Sequence, residues 1–104
     1  MNAILRDNTD KISELCSKYS VKHLFAFGSV LNKNFNSESD IDFLIDFKNV
    51  ALLDYFDNYM DLKEEMELLL DRPVDLVEET AIKNPIFKKI VDDSKVKIYE
   101  GNHS

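Results

Sequence analysis

Apolar residues Ile4, Leu5, Ile12, Leu15, Cys16 and Tyr19 recur at helical spacing, which predicts a helix from Met1 to Tyr19. Val21 to Phe27 reads as a short buried strand that ends at Gly28, with a helical turn over Ser29 to Asn32. Asn34 to Ser39 is polar and turn-like. Asp40 to Phe47 then alternates: Ile41, Phe43, Ile45 and Phe47 share one face, and Asp40, Asp42, Leu44 and Asp46 the other. Between Leu52 and Leu70 the positions Leu52, Phe56, Tyr59, Met60, Met66, Leu69 and Leu70 make a helical stripe. Pro73 opens a strand completed by Val74 to Glu78. Asn84-Pro85 is a helix start, asparagine as cap and proline at the first helical position, with Ile86, Phe87, Ile90 and Val91 as the buried face. Lys95 to Tyr99 is a last short extended piece. This order predicts an α/β (α+β) fold: a two-layer domain with a small mixed three-stranded sheet and flanking helices, spanning residues 1–104 as one unit.

Composition narrows the function more than the fold. No apolar run approaches the roughly 20 residues that cross a bilayer, and the N-terminus lacks the pattern of a signal peptide. One cysteine, Cys16, gives neither a disulfide framework nor zinc-ligand spacing, so a cytoplasmic protein with a reduced thiol is expected. The net charge of −7 argues against direct binding to a nucleic acid backbone. It leaves nucleotide binding open, because a divalent cation held by acidic side chains neutralises phosphates. Glycine is scarce: there are 2, where average usage would give about 7. The interior one, Gly28, marks a place where the backbone takes φ > 0 or something approaches closely.

The candidate chemistry lies in three places. Asp40 and Asp42 project from one strand face about 7 Å apart, backed by an apolar face. Taken alone the pair is either a solvated sheet face or a divalent-metal site. Phe27-Gly28-Ser29 ends a buried strand at the start of a turn: either an ordinary turn capped by Ser29, or a phosphate seat built from backbone N–H groups. Asp75, between core-facing Val74 and Leu76, points to the opposite side of its strand. If that strand lies beside the Asp40 strand, three carboxylates converge, enough to hold two Mg²⁺ ions about 3.5–4 Å apart for an in-line phosphoryl displacement. Asp46 shares the face of Asp40 and Asp42 and reads as solvated or salt-bridged. His23 reads as a satisfied strand histidine, His103 as part of a polar tail, and Phe35 as a loop anchor near the site.

Gly28-Ser29, ten intervening residues, then Asp40-Ile41-Asp42, followed by Asp75 on a hydrophobic strand, resembles the signature of the DNA polymerase β-like nucleotidyltransferase superfamily. The small size and flanking elements resemble its minimal branch, over roughly Leu15 to Tyr99. The resemblance implies the polymerase β-like fold and transfer of NMP from an NTP, usually ATP, to an acceptor. It assigns Gly28 and Ser29 to the triphosphate, Asp40 and Asp42 to both Mg²⁺ ions, and Asp75 to the catalytic ion. It further implies an antitoxin that adenylylates a tyrosine of a HEPN-domain toxin, in a homo- or hetero-oligomer. The alternative is a non-catalytic antitoxin that neutralises its partner by contact. A metal-dependent phosphohydrolase is a third reading, but no histidine or extra acid stands ready to activate water. Many relatives carry a basic residue after the Gly-Ser pair, where this chain has Val30; Lys33, one turn on, is the nearest substitute.

Overall fold

Short polar side chains divide the first helical stretch. The computed structural model describes residues 2–32, 35–36 and 38–101. In place of the single expected helix there are two, α1 (Ala3–Asp7) and α2 (Thr9–Lys18). At the break, the Asn8 side-chain amide donates to the Ile4 carbonyl (2.8 Å) and the Thr9 hydroxyl to the Leu5 carbonyl (2.9 Å). Side chains that compete for helix carbonyls in this way interrupt the ladder. The apolar stripe runs on across the break, and Leu5, Ile12 and Cys16 are all fully buried.

β1 (Val21–Phe27) leads into a 3₁₀ turn (Gly28–Leu31), and β2 (Ile41–Phe47) follows. α3 (Leu52–Leu70) connects β2 to β3 (Val74–Glu78); a second 3₁₀ turn (Glu79–Ala81), α4 (Pro85–Ser94) and β4 (Val96–Glu100) complete the chain. The sheet is mixed, in the order β3-β2-β1-β4, with β1 antiparallel to both β2 and β4 and β2 parallel to β3. It has four strands where three were expected: the extended piece near the C-terminus finds backbone partners on the free edge of β1 and joins the ladder.

One sheet face carries the main core. Leu24, Ala26, Ile41, Phe43, Ile45, Val74 and Leu76 pack there against Leu5, Ile12, Cys16, Leu62 and Met66 from the helices. The other face holds a smaller cluster, Phe27 and Leu44 beneath Val91 of α4, with Phe25, Val77 and Ile82 around it. Among the described residues no helix is long and apolar enough to cross a membrane.

Two expected helix faces are corrected. In α3, Leu62, Met66 and Leu70 are buried, but Leu52 is 89% exposed and Phe56 69%, with Met60 also exposed. A helix of 19 residues is about 28 Å long. Its N-terminal half meets the sheet through Tyr55 and Tyr59, whose rings pack on Phe47 of β2 at 5.4 and 6.4 Å. The Tyr59 hydroxyl donates to the Leu76 carbonyl, so Leu52, Phe56 and Met60 lie on a neighbouring face that turns away from the sheet. In α4 only Val91 is buried; Phe87 leans on Phe27 with part of its ring exposed, and Ile86 and Ile90 point outward. The patch beneath α4 takes Val91 and one edge of Phe87, which leaves Ile86 and Ile90 uncovered.

Candidate active site

Backbone pairing decides where the carboxylates meet. β2 and β3 run side by side in parallel, with Asp42 registered against Asp75. On the other flank of β2, Phe27 is registered against Asp42, so the turn that begins at Gly28 starts beside that carboxylate. Asp40 sits one residue before β2, exposed, where the neighbouring Ile41 N–H donates to the Pro73 carbonyl (3.1 Å). Asp42, half-buried, is thus the centre of the group, with Asp40 and Asp75 at the rim.

Electrostatics agree with that arrangement. Burial first, then the charges of Asp75 and Asp40, raise the pKa of Asp42 above the ordinary aspartate range. None of the three carboxylates has a lysine, arginine or histidine nitrogen within 4.0 Å among the described residues. An all-oxygen donor set with uncompensated repulsion is what a hard divalent cation fits.

Gly28 lies hard against the Asp42 carboxylate. Its φ is +78°, a conformation that favours glycine, and a Cβ there would lie 2.6 Å from Asp42 Oδ2. The turn has no side-chain cap, and the Ser29 hydroxyl makes no hydrogen bond among the described residues. Ser29 is therefore available to a ligand. Val30, by contrast, is 2% exposed and belongs to the main core. An aliphatic side chain at this position is explained by packing. Lys33 lies outside the described residues, as does His103.

Two contributors are absent from the sequence reading. Arg72 Nη1 donates to the carbonyls of Asn36 (3.0 Å) and Ser39 (3.3 Å), while its guanidinium lies 4.6 Å from the centre of the Phe35 ring. It clips the segment that delivers Asp40 onto the start of β3, and Phe35 is the anchor it grips. Phe87 of α4 is the second: it meets Phe27 edge to face at 6.2 Å, one residue from Gly28. Nothing local announced either residue: the partners of Arg72 lie more than thirty residues away in sequence, and that of Phe87 about sixty. His23 Nε2 lies 2.7 Å from Glu79 Oε2, a hydrogen bond, and 3.8 Å from Asp46 Oδ2, so these groups are engaged with one another and apart from the three aspartates.

Residues 10–104 match the polymerase beta nucleotidyltransferase family. The chain belongs to that family. It is 36% identical over 93 residues to a provisionally named protein adenylyltransferase of Methanocaldococcus jannaschii, covering 89% of each chain. It is 33% identical over 78 residues to the protein adenylyltransferase MntA of Thermococcus cleftensis, covering 75% of this chain and 76% of that one. Among solved structures, a chain provisionally named a minimal nucleotidyltransferase superposes with a TM-score of 0.74 at 27% identity, covering 92% of this chain and 95% of the other. A Shewanella oneidensis complex of a tri-AMPylated HEPN toxin with an MNT antitoxin shares the fold, with a TM-score of 0.59 at 19% identity over 93% of this chain and 73% of that one.

Proposed function

We propose that this nucleotidyltransferase moves AMP from ATP to a hydroxyl of a partner protein, a tyrosine of a HEPN toxin, and so acts as its antitoxin. The observation that carries the reading is the seat of Asp42: registered against Asp75, flanked by Asp40, and pressed so close to Gly28 that no side chain fits between. Packing alone does not ask for this arrangement, since it concentrates like charge on a half-buried carboxylate. A triphosphate approaching the bare backbone of Gly28 would meet Asp42 first, with the charges of Asp75 and Asp40 close enough to be felt by it. The names of the relatives and the toxin complex that shares the fold support the choice of a protein acceptor.

In this reading Asp40, Asp42 and Asp75 hold Mg²⁺, which when bound supplies the positive charge that neutralises the triphosphate and lowers the pKa of the acceptor hydroxyl. Gly28 lets the phosphate chain approach the turn, and the unengaged Ser29 hydroxyl donates to a phosphate oxygen. The acceptor oxygen attacks the α-phosphorus and gives its proton to the Asp75 carboxylate, while the bond from the α-phosphorus to the oxygen bridging to the β-phosphate breaks and pyrophosphate leaves. Phe27 and Phe87 wall one side of the site, and the exposed Ile86 and Ile90 extend that wall outward. An uncovered apolar strip beside the reacting groups suits docking of a folded acceptor.

The test is transfer of label from α-labelled ATP, with Mg²⁺, to the protein encoded beside this one. We expect label on that partner with the wild type and none with Asp42→Asn. A stable complex carrying no label, with every nucleotide tried, would replace this reading with neutralisation by contact.

A further inference from the structure

The face of the sheet that carries Asp42 holds a second cluster of metal-ligand side chains. His23 on β1 and Asp46 on β2 are cross-strand partners in the ladder. Glu79 opens the 3₁₀ turn after β3, just past the Ile45–Glu78 register pair. The backbone of three elements therefore brings one imidazole and two carboxylates together. His23 Nε2 lies 2.7 Å from Glu79 Oε2 and 3.8 Å from Asp46 Oδ2, and the three donor atoms all fall within 4.8 Å of one another. Asp46 and Asp42 are four residues apart on one strand, about 13 Å. Leu44, beneath Val91, lies between them, so the cluster is separate from the three aspartates.

We propose that His23, Asp46 and Glu79 form a second divalent-cation site, selective for a borderline transition ion of the Zn²⁺ or Co²⁺ kind over Mg²⁺. One nitrogen and two carboxylate oxygens make a donor set of that preference, whereas the all-oxygen aspartates suit a hard ion. A tetrahedral ion with bonds of about 2.0–2.2 Å places its donors roughly 3.3 Å apart, which small rotations of these side chains reach. Two carboxylates share one imidazole here, and among the described residues no lysine or arginine nitrogen comes within 4.0 Å of either. All three side chains keep some solvent exposure, which gives an ion and its remaining ligand a way in. Bound there, the ion ties the turn that leads to α4 onto β1 and β2, and so braces the helix that walls the active site.

Co²⁺ titration of the tag-free protein tests this, followed by visible absorption in excess Mg²⁺, with Asp42→Asn and His103→Ala as controls. His103 is the chain's other histidine. We expect four-coordinate Co²⁺ bands at micromolar metal that persist in both controls. Affinity should fall at least tenfold in His23→Gln and in Glu79→Gln. Zn²⁺ should raise the Tm of the wild type by several degrees and of those two variants by little. Glu79→Gln keeps a hydrogen-bonding group beside His23, so it decides the matter if His23→Gln does not fold. Binding only at millimolar metal, binding indifferent to both variants, or binding lost in Asp42→Asn would each overturn the site and leave His23–Glu79 a simple ion pair.

Discussion

Replacing Gly28 with alanine separates the chemistry of the site from its stability. Two costs follow from the geometry. The first is backbone strain: φ of +78° is disfavoured for a residue with a Cβ by roughly 1–2 kcal/mol. Part of that is offset, by about 0.4–1 kcal/mol, because alanine reduces the freedom of the unfolded chain. The net loss of stability is therefore about 1 kcal/mol, too small to unfold a domain of ordinary stability. The second cost falls on Asp42. Its Oδ2 would sit 2.6 Å from the new Cβ and must retreat by about 0.8 Å to ordinary contact. Misplacing a reacting group by about 1 Å costs on the order of a hundredfold in rate. Gly28→Ala should thus fold, with a urea midpoint only slightly lowered, yet label its partner about a hundredfold more slowly. Transfer within about twofold of wild type would refute the reasoning, since it would mean that neither the seat of Asp42 nor the close approach at Gly28 matters.

Asp42→Asn in metal-free buffer at neutral pH should be at least as stable as wild type. The carboxyl has a raised pKa in the fold, so stability falls as pH rises from the ordinary aspartate range through that value, and asparagine avoids the loss. Urea midpoints across that pH range check this, and Mg²⁺ should stabilise the wild type alone. Cys16, fully buried, has its thiol pushed up to about 12 from 9.0. Between those values wild type should lose about 1.4 kcal/mol per pH unit relative to Cys16→Ala, and below them its thiol should react with a disulfide reagent only as fast as the chain unfolds. Ile90→Asp, on the exposed strip of α4, should leave the unfolding midpoint within about 0.5 kcal/mol of wild type while weakening the partner complex, measured by calorimetry. Unchanged affinity there would move the docking surface elsewhere.

What the sequence disclosed and what it withheld divide along a physical line. Strand β2 was legible because its polar and apolar positions alternate: Ile41, Phe43 and Ile45 are fully buried on one face, while on the other Asp42 and Asp46 stay partly wet on either side of Leu44, buried under Val91. Gly28 stood out because a chain with so few glycines keeps one only where a side chain would do harm, and the harm here is a collision with Asp42. Local pattern could not reveal how far each apolar stripe is used. The stripes of α3 and α4 are apolar as read, but part of each faces solvent, because α3 meets the sheet through Tyr55, Tyr59, Leu62 and Met66 rather than Leu52, Phe56 and Met60, and α4 covers only one small patch. Periodicity reports that a helix has an apolar face; it does not report whether this chain or another covers it. Arg72 was hidden for a related reason, since its partners Phe35, Asn36 and Ser39 are more than thirty residues away and are reached only after β3 has docked beside β2. The three aspartates lie between these cases. Their spacing is visible in the sequence, but their convergence depends on β2 and β3 being parallel neighbours in a register that sets Asp42 against Asp75. A slip of one residue would turn Asp75 to the other face and seat Val74 or Leu76 opposite Asp42. Burial of Val74 and Leu76 in the main core fixes that register, so the packing of the apolar face is what assembles the carboxylates on the other.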